Sequence, residues 1–248
     1  MKKKILIRIP ALVLLFVVAV SLLYLPNGTM NPVSFLTKAV AAEVTKNKVD
    51  FTELWKQNKD ITGWLNIPGT TIDYPVLQSP EDDTLYMDHN ADKKEDKNGA
   101  LFTEHEFNGN NFADRVTIIY GHHMKSGAMF GNLQQTYTDD FEGHRDVVIY
   151  TSTKERHYQV FAAVPYSNRH ILYYYDKFRT QDAVEEFMEE IQSTRSIGAT
   201  IDHSVDVGKN DRLLVLSTCL QGDNTKRFLV IGKLVSEQYL FPTRRTPR

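Results

Sequence analysis

Apolar and polar positions along the chain fall into many short runs separated by turn residues. Strand patterns cover residues 62–67 and 72–77, joined by a Pro68-Gly69 turn, with Pro75 marking the second run as an edge or bulged strand. Residues 99–103 and 115–120 follow, and the second of these, VTIIY, is strongly β-branched and stops abruptly at Gly121-His122-His123. Residues 146–151 and 157–164 alternate as a strand pair with Lys154-Glu155 in the turn. Two late apolar runs, 213–216 and 228–235, predict an antiparallel hairpin whose loop holds Gln221-Gly222-Asp223-Asn224.

Helical periodicity is scarcer. Asp50 caps a predicted helix with Phe51, Leu54 and Trp55 on one face, and short helices are expected around Leu85 and Met87 and over 129–135. The clearest helix covers 180–191: Thr180 is its cap, and Val184, Phe187, Met188 and Ile191 form an apolar stripe that reads as a core face. About eight strands with few helices predict a mainly β fold, a closed or nearly closed barrel with helices inserted in its loops.

The 248 residues, 42% hydrophobic and 24% charged, suit one globular domain, and a formal charge of -2 gives no general argument for nucleic-acid binding. Charge position says more. Lys2, Lys3, Lys4 and Arg8 precede a largely apolar run over 9–25, a pattern that holds the N-terminus in the cytoplasm and sends the rest outward. The Ala39-Val40-Ala41 site lies well beyond that run, which favours an uncleaved anchor over a cleaved signal. The expected layout is a basic tip and transmembrane anchor over 1–28, a tether over 29–49, a domain over 50–242 and a basic tail over 243–248.

The one cysteine, Cys219, then acquires interest. Outside the cytoplasm a single cysteine has no intramolecular disulfide partner, so it is either a small core residue or a reactive thiol. It stands where the strand-like run gives way to Ser217 and Thr218, opposite Arg227 across the base of the predicted hairpin. A thiol reacts as thiolate, and an imidazole is its usual proton partner. Of eight histidines, His122 shares the strand-to-loop placement of Cys219; His89, His105, His144, His157, His170 and His203 lie in polar surroundings typical of surface residues. Arg227 could hold a substrate carbonyl or an oxyanion, or could simply flank the loop as a partner of Asp223. Adjacent His122 and His123 point to opposite sides of an extended segment and poorly share a metal, and no C-x-x-C or H-E-x-x-H motif accompanies them. Glu104 and Glu106 as a glycosidase pair are a weaker signal still.

Taken together, Leu216-Ser217-Thr218-Cys219 with Arg227, Tyr120-Gly121-His122, the following Met124 to Gly131 segment (MKSGAMFG), the IDYPVL strand and the helix at 180–191 resemble the sortases, specifically class B. The resemblance spans nearly the whole chain. It implies an eight-stranded barrel with an N-terminal helix and a helix in a late strand connection, and a transpeptidase that needs no cofactor. Cys219 would attack the threonine carbonyl of a C-terminal sorting motif, His122 would serve as acid and base, and Arg227 would position substrate and stabilise the oxyanion. Leu85, Tyr120, Ser217 and Thr218 would border the substrate. The implied partners are surface proteins bearing the motif, a peptidoglycan-precursor or pilin amine, and the membrane through the anchor. Val215 replaces a threonine usual in the family and His123 stands where a different polar residue is common. A cysteine peptidase without transfer and a non-catalytic binding module are the competing readings.

Overall fold

The computed structural model describes residues 47–240; the expected anchor, most of the tether and the basic tail lie outside the described residues. Among the described residues the first element is α1 (Phe51–Gln57), whose start is fixed by Asp50: its Oδ1 accepts from the backbone N–H of Thr52 at 3.0 Å and of Glu53 at 3.3 Å. Nine strands follow, β1 (Ile61–Asn66), β2 (Asp73–Leu77), β3 (Leu101–Phe102), β4 (Val116–Tyr120), β5 (Asp146–Tyr150), β6 (Lys154–Ser167), β7 (Thr200–Ile201), β8 (Leu213–Leu220) and β9 (Asp223–Tyr239). They pair in the order β5-β1-β2-β3-β4-β8-β9-β6, and β5 pairs again with β6, which closes eight strands into a barrel; β7 pairs with Ala162 and Ala163 of β6, past the stretch that pairs with β5. Closure removes free strand edges. Three further helices, α2 (Leu133–Asp139), α3 (Ile171–Tyr174) and α4 (Gln181–Ser193), sit in the connections.

Strand alternation sorts the core. Leu214, Leu216, Ile119, Phe228 and Val230 point into the barrel with Leu65, Val76 and Val160. Their neighbours Leu213, Val215, Ile118, Leu229 and Ile231 point outward and are covered by α3 and α4 through Leu172, Val184, Phe187 and Ile191. A third cluster joins Phe51 of α1 to Ile61, Leu77 and Tyr86. Val215, wholly buried in the outer layer, fills a packing position where a hydroxyl would need a partner.

Four sequence expectations change. Lys154 and Glu155 are in β6, not in a turn, because Glu155 is buried and in register with Tyr150; the turn is closed one step earlier by Thr151 N–H donating to the Lys154 carbonyl at 2.8 Å. The helix expected over 129–135 starts only at Leu133, since Met129 has φ 54° and cannot belong to a right-handed helix. β6 and β9 pair from Lys154–Tyr239 to Ser167–Lys226, far past the apolar runs that announce them. The four-residue α3 and two-residue β7 are too short for periodicity to reveal.

Candidate active site

Two strands carry the candidate chemistry to one rim of the barrel. β4 and β8 are parallel neighbours in unbroken register from Val116–Leu213 to Tyr120–Ser217, so residues equally far beyond that last pair reach the same rim. His122 lies two residues beyond Tyr120, and Cys219 two beyond Ser217. Gly121 extends the pairing by donating to the Ser217 carbonyl at 3.1 Å. Any side chain at Gly121 would collide with Leu101 and Phe130, 2.4 and 2.6 Å from a Cβ placed there, so glycine is required between Tyr120 and His122.

The third candidate arrives on the return strand. Cys219 and Arg227 are cross-strand partners in the β8–β9 ladder, and the next pair, Leu220 with Asp223, is offset by a bulge at a tight turn where Gly222 takes φ 83°. Arg227 Nη1 donates to Cys219 Sγ at 3.4 Å. Asp223, the alternative arginine partner, instead pairs with Lys226 at 3.3 Å. Its carboxyl is held below the usual range by bonds from Thr225 and then by Lys226. Arg227 is therefore free of carboxylates among the described residues, and its charge complements a thiolate or a developing oxyanion.

His122 is half-buried and bonds elsewhere: its Nε2 lies 2.6 Å from the Met87 carbonyl. A carbonyl can only accept, so Nε2 carries the proton in this arrangement. His123 turns away to form a bridge with Met129, and its Nδ1 is buried without a partner.

His122, Arg227, Ser217 and Tyr120 line a cleft of about 160 Å³ together with Met87, Glu104 and His170. Of the sequence-based candidates, the structure thus brings Tyr120 and Ser217 to the cleft beside His122 and Arg227, while Cys219 joins them through its contact with Arg227 and is not itself among the lining residues. Leu85 and Thr218 are placed differently. Leu85 sits in the short 3-10 turn Leu85–Met87 and packs against the cluster around Phe51 and Tyr86, while the same segment offers Asp83, Thr84 and Met87 to the cleft. Thr218 is wholly buried, alternates with Leu214 and Leu216, and so faces the barrel interior.

Glu104 and His170 are additions that the sequence reading did not select for this site. Glu104 Oε1 accepts from His170 Nε2 at 2.9 Å, and His170 Nδ1 accepts from the Tyr173 N–H at 3.1 Å, capping α3. Burial pushes the Glu104 carboxyl up, against the opposing effect of His170. Burial, and next the charge of Glu104, push the Tyr120 phenol well above its ordinary range. Only the tendency of histidine to meet acids across loops could have hinted at this pair, which is 66 residues apart in sequence.

A thiol, an imidazole and a carboxylate-free guanidinium at one barrel rim form an arrangement suited to acyl transfer. Residues 65–235 match the sortase domain. The chain belongs to the sortase family. This sortase is 34% identical over 191 residues to sortase B of Listeria monocytogenes, covering 76% of this chain and 75% of that protein. Its fold matches the X-ray structure of Clostridium perfringens sortase B with a TM-score of 0.65 at 27% identity, over 75% of this chain and all of that one. It likewise matches a Staphylococcus aureus sortase B–substrate complex with a TM-score of 0.65 at 26% identity, over 80% and 90% of the two chains. The sortase is a class B transpeptidase built on the closed eight-stranded barrel.

Proposed function

We propose that this sortase cleaves a C-terminal sorting motif after threonine and transfers the protein to an amine of the cell-wall precursor or of a pilin. The observation that carries the reading is the contact of Arg227 with Cys219 at the rim where the parallel β4 and β8 also deliver His122. The Cys219 thiol gives its proton to His122 as its sulfur attacks the threonine carbonyl carbon, and Arg227 stabilises the oxyanion that forms. Collapse breaks the peptide bond, and the departing amine takes that proton from His122, leaving a thioester on Cys219. An incoming amine then attacks that thioester and yields a proton to His122, which passes it to the departing sulfur, so that the new amide forms and the Cys219 thiol is restored. The Met87 carbonyl orients the imidazole through Nε2–H and supports the imidazolium.

Tyr120 and Ser217 border the bound peptide. Leu85 and Thr218 act at one remove, Leu85 by seating the Asp83–Met87 segment and Thr218 by packing the strand end that bears Cys219. The chain is held at the cell membrane by a single span within 1–28, with the catalytic domain, 50–242, outside the cytoplasm. Among the described residues no helix is long and apolar enough to cross a membrane.

Incubation of the domain with fluorescent sorting-signal peptides, with and without triglycine, tests the reading. A ligated peptide–triglycine product is the expected result. Cleavage that gives only the free acid would make the enzyme a cysteine peptidase, and no cleavage of any motif peptide would favour a binding module.

A further inference from the structure

The wall of the cleft opposite β4 is the segment from Asn168 to Ile171, which enters α3. Little regular hydrogen bonding ties it to the barrel, because β6 leaves its ladder at Ser167. It is held by side chains: Arg169 donates to Tyr166 and Glu190, Ile171 is buried in the outer core layer, and His170, which faces the cleft beside Tyr120, reaches Glu104. Oε1 accepts from His170, whose tautomer is fixed: Nδ1 accepts from Tyr173, so Nε2 carries the proton. The His170 ring also lies against Phe107, centroids 4.7 Å apart, and near Tyr120 at 6.5 Å.

The other oxygen of Glu104 is unusual. Oε2 and the Tyr120 hydroxyl are both buried, and neither meets a partner in regular hydrogen-bond geometry. They are neighbours, since the carboxylate acts on the phenol through its charge and as a hydrogen-bond acceptor. A buried donor and a buried acceptor side by side satisfy one another with only a small shift of Tyr120. Tyr120 is the strand partner of Ser217 and precedes His122 by two residues. The groups facing Glu104 are Tyr120 from β4, His170 from α3 and Asp83 from the segment before the 3-10 turn, with Arg227 of β9 acting on Tyr120.

We propose that Glu104 is a positioning residue for the sorting peptide, fixing the Asn168–Ile171 wall through His170 and the cleft floor through Tyr120. The inference rests on the transpeptidase reading and adds a residue to it. Hydrogen-bond acceptance, not negative charge, is what the role requires, because a neutral amide can accept from His170 and donate to Tyr120 in the same geometry.

Steady-state transfer of a sorting peptide to triglycine tests this in Glu104→Ala, Glu104→Gln, His170→Ala and the Glu104→Ala/His170→Ala double variant. Glu104→Ala should raise the peptide KM roughly tenfold, with little change in kcat or in the KM for triglycine. Glu104→Gln should return the peptide KM close to wild type, and the double variant should be no worse than the worse single one. A general loss of fold would move both KM values together and lower the active-enzyme titre, which thiol titration of Cys219 reads separately. The proposal is overturned if Glu104→Gln is as impaired as Glu104→Ala, if kcat falls as much as KM rises, or if Glu104→Ala leaves the peptide KM unchanged. Absence of Cys219 acylation in the wild-type enzyme would instead remove the transpeptidase reading itself.

Discussion

The hairpin of β8 and β9 and the wall formed by residues 168–178 border the same cleft but are stabilised in different ways. The hairpin is paired on both sides, β8 with β4 and β9 with β6, and its side chains are buried in two layers. Cys219 and Arg227 are thus placed by ladder register, which moves only if the barrel does. The wall segment carries Asp176, Lys177 and Phe178 in succession at φ 46°, 58° and 51°, left-handed values that non-glycine residues rarely adopt. It is held by individual contacts, His170 to Glu104, Lys177 to the Glu106 carbonyl at 3.0 Å, and the buried Phe178 against Tyr175. On the proposed reading, Cys219 and Arg227 therefore react from the rigid part, and substrate discrimination would fall to the part that a few substitutions can reshape.

The sharpest way to break that division is at the rim. His122→Ala should abolish acyl transfer while His123→Ala leaves most of it, measured as ligated product; equal losses would show that the rim geometry does not separate the two imidazoles. Arg227→Ala should lower kcat by roughly 10²–10³ with a smaller effect on peptide KM, the scale for removing one oxyanion donor. A pure KM effect would move Arg227 to the binding side of the comparison.

Smaller effects sharpen the wall. Burial raises the Glu104 carboxyl above its unfolded value, so the ionised form is penalised in the folded protein. That penalty is complete above the raised folded value and fades as pH falls through it toward the ordinary carboxylate range. Glu104→Gln should accordingly melt higher than wild type at pH 7, with the difference shrinking on acidification; a gap that widens in acid would contradict the sign. Smallest of all, Asp176→Gly should relieve a left-handed strain of about 1 kcal/mol, because the ion pair it sacrifices, with Arg179 at 3.4 Å, is exposed. Thermal unfolding should show a modest rise in Tm, and a fall would mean that the Asp176 contact outweighs the strain.

The same difference explains what could be read from the sequence. The β-branched run before His122 and the apolar run over 213–216 before Cys219 announced the strands, because strand pattern is a local property that the barrel preserves. The 180–191 helix was visible through its stripe and its Thr180 cap, whose Oγ1 accepts from Ala183 at 3.2 Å. Glu104 and His170 were not visible as a pair, since their meeting depends on how two irregular connections fold back over the barrel. Leu85 and Thr218 show the limit of motif transfer: a residue next to the site in sequence can point into the barrel or into a neighbouring cluster. The extension of β9 to Tyr239 escaped notice because its last turns alternate weakly and are specified by pairing with β6.

The central claim is that Cys219 is the nucleophile on which the acyl group is carried. Intact-protein and peptide mass spectrometry of the domain, quenched in acid during turnover of a sorting-signal peptide without added amine, tests it most directly. The account predicts a mass increase equal to the peptide up to its threonine, located on Cys219, and neither adduct nor cleavage in Cys219→Ala. Cleavage or transfer that persists in Cys219→Ala would contradict it.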